Sequence, residues 1–456
     1  KLRLSYGTSG SDNISSNLWR ETWSSLGSGS NHTPINGELG SFYRPDGLLA
    51  NSKLKWETTI SRNFGIDFGF LNNRVNGSLE VYWNTTKDLL MAVPVDNTTG
   101  YSYQFQNFGK TSNRGIELSV NVDVINKGDF RFNVGAIYNY NRNKLDELPN
   151  ADQYLYSSYW GSSSLVPTND YMFVEGKAIG LVRGFISEGY YTVDDFNYTN
   201  GQYVLKEGVP DITKALTATY MHPYDLPAGQ TAFPGAAKFR DVDESGTVDL
   251  DDATCLGEVM PRHTGSFQLN FNYKNFDLST NFNWTAGGKV YNVAAMINAS
   301  GQEFDGIGAQ RASWVADAFK VYNVNAAGDL YAVTNPDELR ALNANAKYHL
   351  PYHQSGITSS EWLENGSYLR LQTLTLGYTL PKNWLAKVHV DKIRLYLTVT
   401  NLFTLTGYSG IDPEVNANPT GQSGFYSDLR IFPTLNMDFG TYPRARTFTF
   451  GANITF

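Results

Sequence analysis

The sequence is poor in the residues that staple small domains or bind metals through soft ligands. A single cysteine, Cys255, occurs among 456 residues, so the chain can build neither a disulfide framework nor a cysteine-based metal site. No apolar run approaches the roughly 18 residues of a membrane-spanning helix, which excludes helical spanning. Positive charge is short as well. Lys and Arg number 36 against 44 Asp and Glu, a net charge of −8, and nucleic acid finds no basic surface. No signal peptide is visible, and the opening "KLRLSYGTSG" reads as a strand entered partway, which predicts a processed or partial chain.

Aromatics and glycine are plentiful: Phe, Tyr and Trp make up 14% and glycines number 42, a mixture that favours many strands and tight turns. The last residues, "RARTFTFGANITF", alternate without a break. Phe448, Phe450, Ala452, Ile454 and Phe456 point one way, and Thr447, Thr449, Gly451, Asn453 and Thr455 the other. The same pattern recurs in "NFGIDFGF", in Ile116–Val124, in Phe130–Tyr138, in Phe267–Trp284 across "KN", and in Leu374–Tyr378 and Ile393–Val399. A slip of phase between Leu371 and Leu374 predicts a β-bulge. About eleven strands are expected, many longer than the usual five or six residues.

The connections separate the possible folds. Tight turns at Leu71–Arg74, Asn126–Asp129 and Lys274–Asn275 alternate with long polar segments near 90–109, 144–180, 191–262, 288–366 and 404–442. Connections of that length argue against a compact soluble sandwich, and no fixed repeat supports a propeller. Short turns at one end and long loops at the other are the rule in outer-membrane barrels. The expected fold is therefore all-β, a transmembrane antiparallel β-barrel with long extracellular loops. Because an odd strand count cannot close a single-chain bacterial barrel, further strands are expected before Lys1.

At this point the chain resembles the SusC/RagA family of TonB-dependent outer-membrane transporters of Bacteroidota. The resemblance rests on "LKWETTISRNFGIDFGFLNNRVNGSLEVYWNTTKDLL", "NFGKTSNRGIELSVN", "GSYLRLQTLTLGYTLP", "LTVTNLFTLTGYSGIDPEV" and "YPRARTFTFGANITF". It implies that residues 1–456 are the C-terminal part, about half, of a barrel of roughly 22 strands with a plugged lumen. The plug domain and the N-terminal strands are expected outside this chain. The resemblance also implies a SusD-like surface lipoprotein as a lid, TonB acting through the N-terminal part, outer-membrane lipid around the wall, and active import of a glycan or peptide. The alternative is a structural or adhesive barrel without transport. No enzyme is expected, since no nucleophile elbow, phosphate loop or catalytic carboxylate pair stands out.

The sharpest local motif is "DVDESGTVDLDD". Asp241, Asp243, Ser245, Thr247, Asp249 and Asp252 fall at positions 1, 3, 5, 7, 9 and 12 of a twelve-residue calcium loop, with Gly246 at the sharp turn. Asp replaces Glu at the twelfth position and has a shorter arm. Pro234 and Gly235 precede the motif, so a structural Ca²⁺ clip in a loop is expected, without the helical flank of a switching hand. His349 and His353 are four apart but separated by Pro351, which spoils a helical metal pair. Aromatics of the long loops, Tyr156, Tyr159 and Trp160 first and Trp314 and Trp362 after them, leave two readings open, ordinary packing within large loops, which is the commoner use, and stacking on cargo or against a lid.

Overall fold

The computed structural model describes residues 1–11, 18–25, 34–35, 38–39, 43–45, 48–101, 103–148, 153–157, 165–217, 222–300, 312–350, 356–385, 390–415 and 435–456. Its dominant feature is one ten-stranded antiparallel sheet. The strands are β1 (Leu2–Ser11), β2 (Glu57–Phe70), β3 (Val75–Lys87), β4 (Lys110–Lys127) and β5 (Phe130–Glu147). They continue as β6 (His263–Tyr273), β7 (Phe276–Ala286), β8 (Tyr368–Thr379), β9 (Lys392–Thr406) and β10 (Thr447–Thr455). Spatial order equals chain order. Among the described residues the sheet holds ten strands, an even number, where the alternation suggested about eleven. Among the described residues β1 and β10 pair on one side only, so the sheet is an open wall.

The alternation of the sequence sets the two faces of this wall. Phe64, Ile66 and Phe68 of β2 share a face with Val81, Leu118, Val134, Leu269, Leu376 and Leu397, whereas Asn63, Glu80, Asn121, Gln268, Asn281 and Thr398 take the other. Among the described residues an apolar face of this extent has no covering layer: Phe450 is 78% exposed and Leu4 82%. Such a face requires lipid.

Hairpin turns close where expected, at Leu71–Arg74 and Lys274–Asn275. The turn after β4 narrows to Gly128 and Asp129, because Asn126 and Lys127 still pair with Arg131 and Phe130. The predicted bulge is present, as pairing jumps from Leu371↔Phe403 to Thr373↔Thr400. Rings repeatedly lie over a glycine directly across the ladder. Tyr82 faces Gly115, Trp284 faces Gly265, and Tyr396 faces Gly451. A Cβ at Gly115 would stand 2.3 Å from the Tyr82 ring and at Gly451 2.4 Å from that of Tyr396, so no other residue fits beneath these rings.

The polar face is cross-linked by ion pairs. Arg3 Nη2 lies 2.7 Å from Asp67 and 2.8 Å from Glu80, and Asn63 donates to Glu80 at 2.9 Å. Arg394 Nε donates to Asp277 at 2.9 Å across β9 and β7. Nearer the long connections, Arg370 of β8 is 2% exposed and bonded to Asp412, with Glu414 at 3.2 Å. Arg444 reaches the same Glu414 at 2.7 Å. A buried guanidinium needs such partners, and these tie the segments on either side of 416–434 to the wall.

The long connections are not the plain polar segments that their composition suggested. They fold into short sheets and helical turns around their own apolar cores. One core, beside the ends of β4 and β5, gathers Phe108, Leu145, Tyr171, Val182, Tyr291 and Met437. A second draws Phe185, Tyr191, Phe233, Phe239, Phe319 and Leu339 from residues 185–357.

Candidate functional site

The candidate site is the acidic loop of the second core region, read together with the polar face of the wall. The loop follows the strand Ala237–Phe239, and its later residues Thr247–Val248 pair in parallel with Asp211–Ile212. Val248 is fully buried and anchors that end. Between the anchors the chain turns sharply, with Glu244 at φ 59° and Gly246 at φ 87°. Gly246 sits in the left-handed region that a glycine adopts without cost, which is why the motif needs it there.

The turn is organised by carboxylates accepting main-chain hydrogens. Asp241 accepts from Ser245 N–H at 3.1 Å and from Gly246 N–H at 2.7 Å. Asp243 accepts from Ser245 N–H at 3.0 Å, and that main-chain donor is the first cause holding its carboxyl below the ordinary range. Asp252 is wholly buried. Its Oδ1 accepts from Val242 N–H at 2.6 Å and Asp243 N–H at 3.3 Å, and its Oδ2 from Asp249 N–H at 2.8 Å.

Of the six predicted ligands, the structure brings three together. Carboxylate oxygens of Asp241, Asp243 and Asp252 all lie within 4.8 Å of one another. Ligands at 2.3–2.6 Å from one Ca²⁺ stand at most about 5 Å apart, so the three fit a shared ion of hard-oxygen preference. The other three have partners of their own within the loop. Ser245 Oγ donates to the Thr247 carbonyl at 3.0 Å. Asp249 accepts from Asp251 N–H at 2.8 Å and caps the turn Leu250–Asp252. The short arm at the twelfth position lets Asp252 act as a clasp on the main chain.

The stacking reading is corrected at Tyr156. This ring is 5% exposed and packs on Phe173 at 4.7 Å and Tyr171 at 5.6 Å. It is core, held there by the apolar residues that the loops supply, and offers no open face to a sugar or a lid. Trp314 and Trp362 are buried too. Tyr159, Trp160 and His353 lie outside the described residues.

A buried acid–base pair went unnoticed in the sequence. His349 is 2% exposed and donates Nδ1–H to the Leu350 carbonyl at 2.8 Å, which leaves Nε2 as the acceptor, 3.9 Å from Glu361. Burial pushes the imidazole down to about 4 and the Glu361 carboxyl up to about 7. Only Pro351, between the two histidines, marked this position, and nothing in the spacing pointed to Glu361.

Comparison with known proteins places this geometry. Residues 1–402 match the family described as "TonB dependent receptor-like, beta-barrel". TonB-dependent receptor P3 of Formosa agariphila is 30% identical over the whole chain, which covers 39% of that protein. TonB-dependent receptor SusC of Bacteroides thetaiotaomicron is 26% identical, again over the whole chain and 37% of its own length. The RagAB peptide transporter superposes with a TM-score of 0.67 at 21% identity, over the whole chain and 40% of its own. The chain thus spans about two-fifths of the relatives it matches. A wall of alternating strands with one lipid-facing side, matched along most of its length, belongs to the TonB-dependent receptor β-barrel family of the outer membrane, in its SusC/RagA branch.

Proposed function

We propose that this chain is part of the transport wall of a TonB-dependent importer that takes a glycan or a peptide across the outer membrane. The observation that carries the reading is the polar face of the wall, rich in amide and hydroxyl side chains and cross-linked by Arg3, Asp67, Glu80, Asp277 and Arg394. A lipid-embedded barrel with a polar interior suits passage or plugging by polar matter. In this reading TonB acts through a part of the receptor outside this chain, and a SusD-like lipoprotein covers the loops. The loop Asp241–Asp252 holds one structural Ca²⁺ through Asp241, Asp243 and Asp252, which keeps the loop in shape for the lid or cargo. The ion supplies rigidity and no chemistry.

The test is growth on candidate glycans or peptides as sole source, with the intact receptor gene present or deleted, together with mass spectrometry of cargo co-purified with the receptor. Loss of growth on one cargo class upon deletion, repeated when TonB is removed, is the expected outcome. Growth and cargo recovery indifferent to both deletions would favour a structural or adhesive barrel.

A further inference from the structure

The lipid-facing side of the wall is apolar from the tight turns upward, and then at one level it becomes basic. At that level Arg114 of β4 stands directly opposite Trp83 of β3 on one side and Arg142 of β5 on the other. Arg62 of β2 joins the row, its Nη1 donating to Thr85 Oγ1 of β3 at 3.4 Å. Each of these residues keeps the phase of the apolar stripe below it. Phe64 and Ile66 follow Arg62, Ile116 and Leu118 follow Arg114, and Tyr140 and Tyr138 precede Arg142.

The row carries charge without internal compensation. Nearby Lys110 has Glu147 at 2.8 Å and Lys144 has Asp146 at 3.5 Å. Among the described residues no carboxylate stands within ion-pair distance of Arg62, Arg114 or Arg142. Like charges directly across a ladder are destabilising, since their Cβ atoms are only about 5 Å apart. Arg114 and Arg142 form such a pair, both exposed, and an anion between them would turn repulsion into two charge-assisted contacts.

Depth says what kind of anion. From Val124, next to the tight turn, to Arg114 is ten residues of strand, about 34 Å. At a tilt of about 40° this is about 26 Å along the membrane normal, the height of the apolar band of an outer-membrane barrel. The guanidinium groups therefore sit at headgroup level in the outer leaflet. Directly below them is a shallow hollow of about 420 Å³ formed by Val81, Trp83, Ile116 and Tyr140 with Arg114 at its rim, and Tyr82 and Gly115 between. An apolar hollow capped by unpaired arginines matches an acyl chain joined to a phosphate.

We propose that Arg62, Arg114 and Arg142 bind the phosphate of an outer-leaflet glycolipid whose acyl chain lies in the hollow beside Trp83 and Ile116. The site needs only the membrane placement of the wall and is independent of what the receptor imports. It is tested on the full-length receptor in detergent micelles with labelled lipid A carrying one phosphate, with its dephosphorylated form, and with inorganic phosphate as competitor. Saturable binding of the phosphorylated lipid is expected, weaker in high salt and weaker by about tenfold or more in Arg114→Gln/Arg142→Gln. Equal binding of the dephosphorylated lipid would overturn the proposal, and that comparison needs no variant. So would a correctly heat-modifiable double variant that binds like the parent. Competition by inorganic phosphate as effective as that by the lipid would reduce the site to a plain anion site and refute the acyl half.

Discussion

Replacing Asp252 by alanine separates the clasp role of the acidic loop from its ion. The side chain is fully buried and receives three main-chain hydrogens, from Val242, Asp243 and Asp249. Alanine leaves all three donors without that partner, at about 1 kcal/mol or more each. The loop should therefore lose about 3 kcal/mol of local stability, and the population opened to protease should rise about a hundredfold. This loss is expected with or without calcium. Asp241→Ala with Asp243→Ala removes two of the three converging carboxylates and leaves the clasp in place. Its cleavage should exceed the parent's modestly in chelator, because Ser245 and Gly246 N–H lose their carboxylate acceptors, and by a wider margin when calcium is supplied. Limited proteolysis of the intact receptor at low protease, with and without calcium, reads both effects, and heat-modifiable mobility confirms that the barrel stays assembled. A parent loop whose cleavage is indifferent to calcium, with calorimetry showing no uptake, refutes the ion. An Asp252→Ala loop as resistant as the parent refutes the clasp.

Three further outcomes follow from the wall and its loops. Val120→Arg, midway between the tight turn and the arginine row, should destabilise the barrel in urea titrations into vesicles by about 2–4 kcal/mol, with a smaller cost for Phe68→Arg, two residues from its turn. Gly451→Ala must displace the Tyr396 ring, which a Cβ there would meet at 2.4 Å with no main-chain atom among its nearest neighbours, at about 1–3 kcal/mol; Tyr396→Ala should rescue much of this, and additive losses would exclude the steric cause. Glu361→Gln should make the loop region around His349 more stable as pH rises from about 4 to 6.5, because the unfolded imidazole binds a proton that buried His349 refuses until about pH 4. His349→Gln should reveal the opposite slope, stability falling from about pH 4.5 to 7, because folded Glu361 keeps a proton that the unfolded chain has lost. Each slope amounts to about 3 kcal/mol at most, less for Glu361, whose side chain keeps 22% of its surface; hydrogen exchange that is flat with pH in both variants would refute the pairing.

The wall was legible in the sequence because a period of two is imposed by geometry and lipid demands that it be kept over ten residues or more. Ile116–Val124 and Phe448–Phe456 carry it without a break, and even the slip at Leu371 could be placed. The loops were opaque for the converse reason. Their strands, such as Tyr171–Val174 and Leu181–Gly184, are too short for alternation to declare itself, and their cores join residues more than a hundred positions apart. Tyr156 was misjudged on that account, since an aromatic in a polar stretch looks exposed until Phe173 closes over it. In the acidic motif, spacing revealed the loop, whereas the choice of which oxygens converge was made by the backbone turn and the burial of Asp252. Arg62, Arg114 and Arg142 were visible as letters, but only register puts them in one row.

The apolar core shared by residues 185–357 has a consequence for how such a receptor can diverge. Phe185, Phe233, Phe319 and Leu339 satisfy one another and do not depend on the lipid-facing stripes for their stability. Selection on recognition can rewrite the outward surface of this body, or lengthen its connecting turns, while the strands below continue to insert under unchanged rules. Cargo preference and membrane assembly can then drift on separate clocks within a single chain.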